Sequence, residues 1–117
     1  MDIHGRTIGF KFTTGASIAL ARLCPNGDIS KLNQLLNAKS KSTADSLEIA
    51  IKIIAILSEG FELSKKFEEP GYKPRPLTVE EICSLPVKTI HALEAVAMKQ
   101  LKDDSATDIE LEEPKKG

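Results

Sequence analysis

The chain of 117 residues has no tryptophan, one tyrosine, four phenylalanines and two cysteines. Each scarcity excludes something. Base-stacking platforms for single-stranded nucleic acid need several aromatics on one basic face. Here Phe10 and Phe12 fall on one side of an extended segment, while Phe61, Phe67 and Tyr72 are scattered. Cys24 and Cys83 belong to no CxxC pair and read as reduced, small hydrophobes rather than a disulfide framework. The longest apolar stretch, IAIKIIAIL, is interrupted by Lys52 and falls far below the roughly 18 residues of a membrane span. No N-terminal signal peptide is visible, because Asp2, His4, Arg6 and Lys11 break the first dozen residues. The expected compartment is the cytoplasm, with no membrane partner. A formal net charge of −1 and a pI near 6.1 argue against a specific nucleic-acid partner, which requires phosphate-neutralising charge.

What is present is an aliphatic, globular composition, 41% hydrophobic and 28% charged. The length predicts one domain that needs neither disulfide nor metal to fold. Ile8, Phe10 and Phe12 alternate with polar or small residues, which is strand periodicity. With Ile3 before a His4-Gly5-Arg6 turn, this predicts a short N-terminal β-hairpin. The pattern turns helical at Thr13-Thr14, either of which can cap a helix that stops at Pro25-Asn26-Gly27. Asp28 caps a second helix, whose stripe is Ile29, Leu32, Leu35 and Leu36, and a polar loop follows over 37–42.

Ser42 or Thr43 opens the longest helix, over 43–66. It carries two apolar stripes. Leu47, Ala50, Ile51, Ile54 and Phe61 lie on one side, and Ile49, Ile53, Ile56 and Leu63 lie nearly opposite. Glu48, Lys52, Glu59, Glu62 and Lys66 take the narrow face between. Two readings follow: a core helix packed from both sides, or a helix whose second stripe receives a partner, with Phe10 and Phe12 beside it.

Residues 68–76 hold three prolines and a glycine and read as an exposed loop around Tyr72. Thr78 and Glu81 have capping-box spacing, with Leu77 and Ile82 placed as a hydrophobic staple. After a break at Ser84-Leu85-Pro86 the last helix is expected over 87–101, with a stripe of Ile90, Leu93, Ala97 and Leu101. The expected fold is therefore mainly α: a small helical domain over 1–102 with a short N-terminal β-hairpin. A disordered acidic tail is expected over 103–117, with six acids and no base between Asp103 and Glu113.

No motif for nucleophilic, phosphate or dinucleotide chemistry occurs, and neither His4 nor His91 has partners at metal-ligand spacing. No catalysis, cofactor or metal is expected. Residues 77–93 have the cadence of a helix-turn-helix, which keeps a small regulatory or DNA-binding protein as the alternative. Lys88 and Lys99 are few cations for that task.

The order of elements resembles a known family. A hairpin leading into GFKFTTGASIALARLCPNG, a helical middle, LTVEEICSLPVKTIHALEAV and an acidic, lysine-ended tail resemble the tail assembly chaperones of long-tailed bacteriophages, over roughly residues 3–101. The resemblance implies a phage or prophage protein acting in the host cytoplasm. It implies a non-enzymatic chaperone that binds the tape measure protein and helps recruit tail tube subunits, with homo-oligomers compatible. On that reading Ile49, Ile53, Ile56 and Leu63, with Phe10 and Phe12, are the candidate partner-binding residues. The family often makes a longer form by frameshifting near the gene's end, and Lys115-Lys116 are compatible with a slippery adenine run.

Overall fold

The computed structural model describes residues 2–36 and 42–105. The expected acidic tail beyond Ser105, with Lys115-Lys116, and most of the expected 37–42 loop lie outside the described residues.

Strands β1 (Asp2–Ile3) and β2 (Arg6–Thr7) pair antiparallel, Asp2 opposite Thr7 and Ile3 opposite Arg6. His4 and Gly5 both have positive φ, 50° and 78°, as a two-residue turn of type I′ requires. Pairing ends at Thr7, short of the strand expected through Phe12. The alternation nevertheless persists: Ile8 and Phe10 are buried and Phe12 half-buried. Period two reports an extended backbone with one side buried, and here that side enters the core of the helical domain rather than a sheet face.

Helix α1 (Thr14–Ala21) is capped by Thr13, whose hydroxyl accepts from Ala16 N–H at 3.1 Å. The second helix begins as a 3₁₀ turn, Ile29–Lys31, capped by Asp28, and continues as α2 (Leu32–Leu36). Helix α3 (Thr43–Glu68) starts at Ser42, which accepts from Asp45 N–H. Helix α4 (Val79–Cys83) starts at Thr78, which accepts from Glu81 N–H at 3.0 Å, and both staple residues, Leu77 and Ile82, are buried. Helix α5 (Val87–Ser105) continues past the expected end at 101. Its added turn is held to the N-terminal segment, since the Asp104 carboxylate accepts from Phe12 N–H at 2.9 Å and from the Gln100 amide. Asp103, Asp104 and Ser105 thus belong to the helix and not to the tail.

The architecture is mainly helical with a short N-terminal hairpin. Helix α3 is central and packs against α1, α4 and α5. Residues 8–12 also cross it at close range. Lys11 N–H donates to the Leu57 carbonyl at 3.0 Å, and the Lys11 ammonium reaches Ser64 Oγ at 2.9 Å. Gly60 makes this crossing feasible, because a Cβ there would run into the Lys11 carbonyl.

A candidate partner-binding face on helix α3

Burial divides the two apolar stripes of α3 differently from the sequence pattern. Ala50, Ile54 and Leu57 are in the core, but so is Ile53 of the second stripe, with no exposed surface. Ile53 shares the core cluster with Phe10, and the Lys11 backbone crosses α3 at Leu57 and Gly60. Ile49 and Ile56 are half-buried, and Leu63 is 42% exposed. Phe12 lines a different cavity, of about 200 Å³, with Ser17, Ile29 and Asp104. Of the six candidate residues, Ile53 and Phe10 are thus interior. Phe12 stands apart, Ile49 and Ile56 pack half-buried against the edge of the core, and Leu63 faces outward.

Ile56 lies in a shallow cleft of about 280 Å³, formed with Ala55, Glu59, Pro76, Leu77 and Thr78. One wall is α3 and the other is the end of the proline-rich segment. That wall is fixed by polar groups whose role the sequence did not disclose. Ser58, buried on α3, accepts from Leu77 N–H at 2.9 Å. Glu62, expected on the narrow charged face between the two stripes, is only 5% exposed. Its Oε1 accepts from the Tyr72 hydroxyl at 2.6 Å and from Arg75 N–H at 2.9 Å. Tyr72, expected in an exposed loop, is half-buried and turned back onto α3. Its bond to the Glu62 carboxylate, with some desolvation, raises the phenol above its ordinary pKa.

A second set of contacts joins the hairpin to the same wall. Arg6 Nη1 donates to the Arg75 carbonyl at 2.5 Å, while Arg6 Nη2 sits 3.5 Å from Glu81 Oε1 and His4 Nδ1 lies 3.6 Å from Glu81 Oε2. Glu81 therefore serves α4 through its backbone and the hairpin through its side chain. The outcome is a small cleft with an apolar floor and a braced wall.

Other chemistry is sparse in the described residues. No three His, Cys, Asp or Glu side chains gather where they could hold a metal ion. Cys24 is buried and Cys83 exposed, and both are free thiols. Burial, with the nearby Asp28 charge, raises the Cys24 thiol above its usual pKa. Glu94 on α5 is likewise raised by desolvation, partly offset by His91. Helices α4 and α5 flank the break at residues 84–86, with Lys88 and His91 exposed on α5. No described helix is long and apolar enough to cross a membrane. No family model, curated protein or solved structure matches the chain.

Proposed function

We propose that this protein is a tail assembly chaperone of the kind made by long-tailed bacteriophages. On this reading it is a non-catalytic protein of the host cytoplasm that holds a helical segment of the tape measure protein and helps recruit tail tube subunits. The observation that carries the reading is the braced cleft at Ile56, continued toward the exposed Leu63. A helical client could bury an apolar stripe there while its polar side stays solvated. The order of elements adds support, since a short hairpin followed by a helical domain is what the family resemblance implies.

The test is co-expression with a tape measure protein of a long-tailed phage. The expected result is that the tape measure protein stays in solution and co-purifies with this chain. If it aggregates equally with and without the chain, the chaperone reading is overturned.

A further inference from the structure

The outer face of α3 carries a pattern that goes beyond the chaperone reading and stands without it. Ile49, Ile56 and Leu63 recur every seven residues. Beside them run Asp45, Lys52, Glu59 and Lys66, also seven apart, all exposed and alternating in sign. Seven residues fall about 20° short of two turns, so each row keeps to one side of the helix with a slow drift. Within the chain none of these four charges has a salt-bridge partner among the described residues, unlike the pairs Lys65–Glu69 and Lys99–Asp103.

The pattern is complementary to its own reverse. When the helix is turned end for end about the level of Ile56, Asp45 comes within one residue, about 1.5 Å, of the level of Lys66, and Lys52 within one residue of Glu59. Ile49 then meets Leu63, and Ile56 meets itself. A parallel two-fold pairing would instead carry the two charged rows to opposite sides of the seam, where they do not meet. A two-fold axis through the antiparallel contact keeps the charged row on the same side of both helices, so that the rows meet. We propose that the outer face of α3 is an antiparallel homodimer interface, centred on Ile56 and occupied by α3 of a second copy of this chain.

The contact from Asp45 to Lys66 spans about 32 Å at 1.5 Å per residue. Three apolar positions per helix and exposed ion pairs make a small interface, so the dimer is weak and salt-sensitive. It covers Ile56 and Glu59, so self-association and occupation of the cleft exclude each other.

The test is sedimentation of the full-length protein from about 1 µM to about 500 µM, at about 50 mM and about 500 mM salt. A monomer–dimer equilibrium weakened by salt is expected. Lys52→Glu replaces two attractive contacts by repulsive ones across the axis and should weaken the dimer at least about tenfold. Lys52→Glu/Glu59→Lys restores the alternation and should recover affinity to within about threefold. Both positions are exposed, and thermal melts of the variants verify that the monomer fold is intact. On a Cys83→Ser background, oxidised Ile56→Cys should form a disulfide-linked dimer. Leu63→Cys should not, because its copies lie far beyond the roughly 7 Å Cα separation a disulfide allows. A monomer at every concentration, a charge swap no better than the single reversal, or equal cross-linking at both cysteines would overturn the proposal.

Discussion

A few residues carry interactions that their chemical type alone does not announce. Gly60 sits in the middle of α3, where glycine lowers helix propensity, and it is kept because the Lys11 backbone passes over it. Gly60→Ala should improve propensity yet destabilise the protein by about 1–3 kcal/mol through overpacking, measured by chemical denaturation. A variant as stable as the parent would mean the crossing of residues 8–12 is looser than described. Tyr72 offers a cleaner reading. It is the one tyrosine in a chain without tryptophan, so near-ultraviolet absorbance reports its ionisation alone. Its folded pKa lies above the unfolded value. The stability it contributes is therefore complete below the unfolded pKa and is lost as pH rises through the folded one. The expected titration lies above that of the denatured protein, and Glu62→Ala should lower it. A midpoint equal in folded and denatured protein would remove the Tyr72–Glu62 contact from the account.

Elements were legible to the extent that local chemistry sets them. The caps at Thr13, Ser42 and Thr78 were readable because a side-chain oxygen satisfying an orphan N–H is a local event. The core stripe of α5 was readable from its helical spacing. What the pattern could not supply was the partner of each apolar face. The alternation of Ile8, Phe10 and Phe12 looked like a strand, although Ile8 and Phe10 join the core of the helical domain rather than one face of a sheet. Glu62 read as part of the narrow charged face, since a carboxylate is usually exposed. Its burial depends on Tyr72 and Arg75 returning 10 and 13 residues later. For the same reason the cleft was not visible, since its second wall comes from residues 76–78. The division within α3 leads to a comparison of two similar substitutions. Ile53→Asp buries an unpaired charge and should cost several kcal/mol, about 3–5, enough to unfold much of the population. Leu63→Asp, at a 42% exposed position, should cost less than about 1 kcal/mol. Equal losses in thermal melts would contradict the assignment of Ile53 to the interior and Leu63 to the surface.

At the scale of the whole molecule, one long helix serves three neighbours on its inner side and leaves an outer face with half-buried Ile49 and Ile56 and exposed Leu63. The hairpin, the proline-rich segment and α4 are tied together through Arg6, Glu62 and Glu81, which sets the cleft wall against that helix. The proposed chaperone function depends on this face being where the client lies. Hydrogen exchange of the purified complex with the tape measure protein tests that most directly. New protection is expected over residues 52–63 and 76–79, with the hairpin and the end of α5 unchanged. Protection confined to the hairpin or α5, with residues 52–63 exchanging as in the free protein, would contradict it.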